Sequence, residues 1–168
     1  METGQRFMEV WPLLKNIYFE RGKQMTWMQD SDWESIEFFK KSEFSEPNKM
    51  EFHFINRLDQ FRKKIDHPII IHSSYRKNDS GYHGRGEAVD VHIKGISLLC
   101  AYILASESGL FGGIGVYPNW NNPGLHLDMR TERSRWGCWS KATPNVYVPL
   151  DSEFIKRLDN VGGKNESD

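Results

Sequence analysis

The sequence lacks any apolar run long enough to span a membrane, and its charges nearly cancel. No stretch approaches the ~20 consecutive apolar residues of a membrane helix, so we expect no membrane insertion. The 22 basic and 23 acidic side chains leave a formal net charge of −1, which gives no reason to expect a nucleic-acid partner. The N-terminus also lacks the apolar segment of a secretory signal. We therefore expect a protein that is made in the cytoplasm.

Cysteine is scarce, with two residues in 168. Cys100 lies in an apolar run and is predicted to be a buried hydrophobic residue. Cys138 stands apart from it in the chain, and neither cysteine has the Cys-x-x-Cys spacing of a metal-binding pair. A disulfide between the two stays open, because no framework of cysteines requires or excludes it.

The chain does have the length and apolar content of one complete domain. Its 168 residues are 38% hydrophobic, which suits a single domain over 1–160 with a disordered tail over 161–168. Hydrophobic periodicity, capping residues and breakers predict the elements in between. Helices are predicted over 5–20, 49–65, 97–108 and 151–158. A further short helix is predicted to begin at the capping-box pattern Ser31-x-x-Glu34. Strands are predicted over 69–76, 88–93, 111–118, 125–130 and 146–150, and an irregular segment over 133–139.

A histidine and an aspartate lie seven positions apart around a turn that contains three glycines. His83 is in this turn, and Asp90 is in the strand predicted over 88–93. Nitrogen and oxygen ligands from a loop and its adjoining strand can form a zinc site, and His126 is the natural third ligand. Two histidines and one carboxylate would leave one position of a tetrahedral Zn²⁺ open for water. Such a site suits the hydrolysis of an amide.

Two further residues have the chemistry that a hydrolytic site needs. Asp128 shares a strand face with His126, at a same-face separation of ~6.6–6.8 Å. That position suits a general base beside the metal. Arg76 could bind a substrate carboxylate or stabilise a developing oxyanion.

Each of these residues also has an ordinary structural interpretation. His83 alone would be a surface histidine of a loop. Asp128 could form a simple solvated ion pair with Arg130 or Arg133, which would contribute little stability. His72 and His92 are interpreted as structural residues or as supports for the ligands. From pattern alone, a metal site and a purely structural explanation remain equally open.

Several segments together resemble one protein family. The segment 83–90, His-x-x-Gly-x-Ala-x-Asp, resembles the signature of the zinc D-alanyl-D-alanine carboxypeptidases and related endolysins, which share their fold with the hedgehog signalling domain. The segment 73–76, Ser-Ser-Tyr-Arg, is similar to the family's Ser-Gly-Tyr-Arg. Segments 113–118 and 125–128 are similar to the Gly-Ile-Gly-x-Tyr-Pro strand and the His-x-Asp segment of one branch. The resemblance covers 38–139, with order and spacing preserved.

This resemblance implies a fold, a cofactor and a set of site residues. The fold is an α+β domain with a small, largely antiparallel sheet and flanking helices, similar to the hedgehog and D-Ala-D-Ala peptidase fold. The cofactor is Zn²⁺. The metal ligands are His83, Asp90 and His126; Arg76 binds substrate and assists catalysis; Ser80 and Tyr82 are further substrate-binding candidates.

The implied activity is zinc-dependent hydrolysis of peptide bonds in bacterial cell-wall peptidoglycan, as a carboxypeptidase or an endopeptidase. The partner is a stem peptide or cross-link, and we expect a monomer. Many members carry the catalytic acid where this chain has Pro123, so Asp128 is the candidate general base. Pro123 also favours the alternative, a non-catalytic zinc-containing binding or structural module. A zinc amidohydrolase acting on another amide is a second alternative.

The place of action follows from the same expectations. Without a signal or a wall-binding module, a phage-type lysis or virion enzyme is favoured over a resident periplasmic one. We therefore expect action on the cell wall after release, or as part of a virion.

Overall fold

The computed structural model describes residues 26–139 and 146–161, with five β-strands and three α-helices in this part of the chain. The strands are β1 (Ile69–Ser73), β2 (Ala88–Ile93), β3 (Gly113–Tyr117), β4 (Gly124–Asp128) and β5 (Ser134–Gly137). The helices are α1 (Phe52–Ile65), α2 (Leu98–Ser108) and α3 (Ser152–Val161). None of these helices is long and apolar enough to cross a membrane. The helix predicted over 5–20, and all but the first residue of the predicted tail, lie outside the described residues.

The strands form one mixed sheet in the order β1-β2-β4-β3-β5. The pairs β1–β2, β2–β4 and β3–β4 are antiparallel, and β3–β5 is parallel. The predicted α+β class is therefore confirmed. The interpretation of 133–139 as irregular is wrong, because Ser134–Gly137 pairs with β3 along the edge of the sheet.

The two faces of the sheet differ in chemistry. Val91 of β2 and Leu125 of β4 are register partners, and both are fully buried in the hydrophobic core together with Phe54 of α1. The alternation of a strand sends the neighbouring residues to the opposite face. That face carries Asp90 and His126, which are also register partners. The hydrophobic core, to which α1 contributes Phe54, therefore lies on one face of the sheet, and the predicted site residues share the other.

Helix α1 begins where Glu51 caps it. The Glu51 carboxylate accepts a hydrogen bond from the backbone N of Phe54 at 2.8 Å, and the Glu51 backbone N donates to the carbonyl of Gly86 at 2.9 Å. Gly86 lies directly after the His83 turn, with φ of 66°. A side chain there would meet the Cα of Met50 at 2.8 Å. The cap thus fixes the turn against the start of α1.

Helix α2 ends at Gly109, as predicted, with the left-handed φ of 70° that favours glycine. The prediction that Cys100 is buried is wrong. This helix buries Ala101 and Ala105, so Cys100 turns to solvent. Cys100 and Cys138 are not joined by a disulfide, and Cys138 is the buried one of the two.

Three local predictions need correction. The predicted strand 69–76 ends at Ser73, and its register with β2 shifts between Ile71 and Ser73. The first short helix is a 3-10 helix from Asp30 to Ser35, and its cap is Gln29 with Asp32 rather than the predicted Ser31 box. Within 146–150, only an isolated bridge between Val148 and Gly137 is present.

Candidate metal centre

Three ligand atoms converge on the polar face of the sheet. His83 begins a short 3-10 turn, Asp90 lies in β2, and His126 lies opposite Asp90 in β4. The Nε2 atom of His83 and the Nδ1 atom of His126 lie 3.2 and 2.9 Å from Oδ1 of Asp90. The two imidazole nitrogens are 3.2 Å apart. These residues form a group that could hold a metal ion.

The dimensions of this triangle suit a tetrahedral ion with short bonds to nitrogen and oxygen. Bonds of ~2.0–2.2 Å at tetrahedral angles place ligand atoms about 3.3–3.6 Å apart. The observed separations of 2.9–3.2 Å are slightly smaller, so a few tenths of an ångström of side-chain movement would match them. The donor set therefore fits Zn²⁺ without rearrangement of the backbone.

Each histidine is oriented through the ring nitrogen that does not face the centre. The Nδ1 atom of His83 lies 2.6 Å from the backbone carbonyl of Ser74. The Nε2 atom of His126 lies 3.1 Å from Oδ2 of Asp128. A carbonyl or carboxylate at the outer nitrogen fixes that proton and leaves the inner nitrogen as a metal ligand. Both inner nitrogens in fact point to Asp90.

Asp128 is completely buried and bound by a guanidinium. Arg130 donates from Nε to Oδ1 at 2.9 Å and from Nη2 to Oδ2 at 2.6 Å, and its backbone N donates to Oδ1 at 3.0 Å. Burial acts to raise the pKa of Asp128, but hydrogen bonds from His126 and Arg130 outweigh it and hold the pKa well below its usual range. Asp128 is therefore a persistent carboxylate whose two oxygens are already engaged.

Asp90 and His126 have coupled protonation. Burial would raise the pKa of Asp90, yet hydrogen bonds from His126 and His83 lower it. Burial would lower the pKa of His126, yet hydrogen bonds to Asp128 and Asp90 raise it. Without a metal, the centre therefore stabilises carboxylates and an imidazolium.

Arg76 reaches the centre through Asp90. Its Nη2 donates to Oδ2, the Asp90 oxygen that does not face the two histidines, and its Nε donates to Ser73 Oγ at 2.8 Å. About 45% of the Arg76 side chain is exposed. Arg76 can therefore hold Asp90 and still present guanidinium surface to a ligand.

The remaining predicted residues lie around the centre. The guanidinium carbons of Arg85 and Arg130 lie 4.1 and 4.8 Å from the centroid of the Tyr82 ring. Ser80 is exposed in the loop before His83. No side-chain hydrogen bond within the described segments joins Ser80 or Tyr82 to the three ligands.

One neighbour of the centre was not predicted from the sequence. The ring of Trp136 lies 5.5 Å from that of His126, and its Nε1 donates to the hydroxyl of Tyr117 at 2.9 Å. Gly115, the register partner of both His126 and Trp136, makes this possible. A side chain at Gly115 would meet the Trp136 ring at 2.6 Å. Glycines that alternate with apolar residues in a strand, as Gly113 and Gly115 do, indicate a close approach of another group, but they do not indicate which group approaches.

Comparison with known proteins adds no relative. No protein-family model, curated protein or solved structure matches the chain.

Proposed function

We propose that this protein is a zinc-dependent peptidase that hydrolyses peptide bonds of bacterial cell-wall peptidoglycan. One observation carries the proposal. His83, Asp90 and His126 present one ligand atom each to a common centre, and the outer nitrogen of each histidine is held by a fixed acceptor. Arrangements of this type are typical of zinc sites. The motif resemblance supplies the substrate class.

Zinc at this position would polarise a carbonyl and make water acidic enough to attack an amide at neutral pH. The chain's own residues would prepare the reaction. Arg76 would bind a carboxylate of the stem peptide or the oxyanion that develops at the cleaved carbonyl. Its hold on Asp90 would keep the second carboxylate oxygen away from the centre. Trp136 would shield the His126 ring from water on the β3 side.

Asp128 has two proposed roles. Its role as general base stays a prediction. In that role Asp128 would do the work of the acid that many members of the resembled family carry at the position of Pro123. Its contacts support a second role as a positioning residue, because its oxygens are occupied by Arg130 and His126. The two roles differ in what they control: a base controls proton transfer, and a positioning residue controls how firmly His126 holds the metal.

A non-catalytic zinc module is the second candidate, and one observation favours it. Among the described residues, two carboxylates lie at the centre. Asp90 is itself a proposed ligand and is bound by Arg76. Asp128 contacts the proposed ligand His126 and is bound by Arg130. Neither carboxylate is available without rearrangement. A site that binds zinc but lacks an available base would bind peptides without cutting them.

The test is a digestion of purified sacculi with zinc-loaded protein, followed by mass analysis of the released fragments. We expect cleavage within stem peptides, and the fragment masses distinguish a carboxypeptidase from an endopeptidase. His126→Ala should lose both zinc and cleavage. His53→Ala, which removes an exposed histidine of α1, should keep both.

Other outcomes would assign the alternatives. Stoichiometric zinc without released fragments would favour the non-catalytic module. Fragments cut at a non-peptide amide would favour an amidohydrolase. A wild-type protein that binds no zinc would overturn the proposal.

A further inference from the structure

Four of the six histidines meet another histidine, and all six lie in the described part of the chain. His83 and His126 meet at the candidate centre, whereas His72 and His92 form a second pair between β1 and β2. Within residues 26–139 and 146–161, no hydrogen bond joins this second pair to the three proposed ligands. The pair therefore does not hold the ligands in place and needs an explanation of its own.

The second pair lies on the polar face of the sheet. The neighbours of His92 on β2, Val91 and Ile93, are buried in the core. Alternation therefore turns the His92 side chain to the opposite face, which carries Asp90. The register between β1 and β2 shifts at His72, which has no partner residue in β2, and its ring meets that of His92. His72 is exposed and His92 is half-buried, so an ion could reach both rings from solvent.

The two rings face each other nitrogen to nitrogen. The Nε2 atom of His72 lies 2.5 Å from Nδ1 of His92, and the ring planes are inclined by 21° with centroids 4.8 Å apart. Two nitrogens bound at ~2.0 Å in adjacent positions of a tetragonal ion lie about 2.8 Å apart, and in a tetrahedral ion about 3.3 Å. The observed separation is closer to the tetragonal value. A few tenths of an ångström of ring movement would admit such an ion.

Without an ion, the contact is a hydrogen bond in which one of the two facing nitrogens carries a proton. In the described ranges, the outer nitrogens of both rings have no hydrogen-bond partner in the protein. A neutral imidazole can therefore hold its proton on the outer nitrogen at no loss of a protein contact. That tautomer leaves both facing nitrogens available as ligands.

We propose that His72 and His92 form a second, weaker metal site for a divalent transition-metal ion that prefers nitrogen ligands and tetragonal geometry, Cu²⁺ above Ni²⁺. Water would complete the coordination. The inference goes beyond the proposed function and does not depend on it. His92 and Asp90 are same-face neighbours on β2, at a separation of ~6.6–6.8 Å. The two sites are therefore separate, since the ions of a shared two-metal centre lie only ~3.5–4 Å apart.

The test is a titration of metal-stripped protein with Cu²⁺, followed by electron paramagnetic resonance at each equivalent. Wild type should bind two ions, and the weaker one should show the hyperfine pattern of two coordinated nitrogens. His72→Gln keeps a polar group beside His92 but supplies no imidazole, so the affinity for the weaker ion should fall by about 100-fold. His53→Gln is the matched control and should keep both ions, because His53 is an exposed histidine of α1 whose ring contact is with Phe52.

His126→Ala separates the two sites. It removes one ligand of the candidate centre and should keep the ion with the two-nitrogen pattern, which a further His72→Gln change should then remove. His92→Gln repeats the test from the other ring. A wild type in which no ion shows this pattern, or a pattern that survives both His72→Gln and His92→Gln, would overturn the proposal. If the pair binds its ion but the candidate centre binds none, the peptidase proposal falls and this one stands.

Discussion

The Oδ2 atom of Asp128 lies 3.1 Å from Nε2 of His126, the ring nitrogen that does not face the metal centre. The contact assigns the two nitrogens of His126 to different partners: Nδ1 to the centre and Nε2 to a buried carboxylate. Arg130 in turn fixes that carboxylate from its other side. We therefore expect the affinity of the candidate centre for a metal to depend on Asp128, which is not one of the three proposed ligands.

We predict that Asp128→Asn weakens zinc binding by about 10–100-fold, the usual effect of losing a partner that orients a metal ligand. The asparagine keeps the shape of the side chain but loses the charge that holds His126 and Arg130. Competition with a chromophoric chelator measures the affinity. At saturating zinc, a positioning residue leaves most of kcat, whereas a general base loses it. A variant with unchanged zinc affinity and no activity would therefore assign Asp128 as the base.

Arg76→Gln is expected to reduce cleavage far more than zinc binding. If Arg76 stabilises a developing oxyanion, its loss should cost about 10²–10³-fold in kcat. The zinc affinity should change less, because Asp90 keeps its contacts with His83 and His126. Lys77→Gln serves as the control, because Lys77 is the neighbouring basic residue and is exposed in the loop after β1. If Arg76→Gln lowers zinc affinity as much as it lowers kcat, Arg76 only holds Asp90 in place and does not stabilise the oxyanion.

Gly115→Ala should destabilise the protein and disturb the centre together. The added methyl group would meet the rings of Trp136 at 2.6 Å and Tyr117 at 2.7 Å, so Trp136 must move away from His126. Overpacking of this kind costs about 1–3 kcal/mol in the free energy of unfolding. Urea unfolding and tryptophan fluorescence measure the two effects.

Gly109→Ala is the comparison for that variant. It strains a left-handed residue but meets nothing within 4 Å. It should therefore lower stability by about 1 kcal/mol or more and leave zinc binding intact. If Gly115→Ala behaves in the same way, the proposed crowding of Trp136 is wrong.

The buried helix cap gives a pH prediction. Burial raises the pKa of Glu51 above its ordinary value of 4.5, and the nearby charge of Glu87 adds to the shift. A raised folded-state pKa contributes stability that is fully present below pH 4.5 and is lost as the pH rises through the folded value. Glu51→Gln keeps an oxygen for the Phe54 cap but does not ionise. Its stability should therefore fall less than that of wild type as the pH rises.

Urea unfolding midpoints of both proteins between about pH 4 and 8 measure this difference. Glu34→Gln, at an exposed position, should follow the wild-type curve. Parallel curves for wild type and Glu51→Gln would show that Glu51 ionises normally in the folded protein.

The sequence predicted the parts of the centre that depend on local pattern. Alternation over 125–130 correctly placed His126 and Asp128 on one strand face. Sequence spacing could not reveal that His126 lies directly opposite Asp90, because the register of β2 and β4 is set by contacts between distant parts of the chain. It also could not reveal that Arg130 donates hydrogen bonds to both carboxylate oxygens of Asp128. The sequence indicates only a weak surface ion pair, whereas in the structure Asp128 is fully buried and accepts hydrogen bonds from the guanidinium and the backbone N of Arg130, which no local pattern encodes.

Strand β5 was missed for a different reason. The segment Arg-Ser-Arg-Trp-Gly over 133–137 has no alternation of apolar and polar residues, because its strand lies at an edge. Its pairing with β3 brings the ring of Trp136 against Gly115, where a side chain would meet that ring at 2.6 Å. The error on Cys100 has a similar origin, since an apolar run in a helix does not indicate which side of the helix faces the core.

The direct pairing of Asp90 with His126 also links metal binding to correct folding. A shift of one residue between β2 and β4 would turn His126 to the apolar face and remove it from the centre. A chain with that error would keep most of its backbone pairing but could not assemble the three ligands. Zinc retention would therefore separate correctly registered molecules from misfolded ones in a single preparation, before any substrate is added.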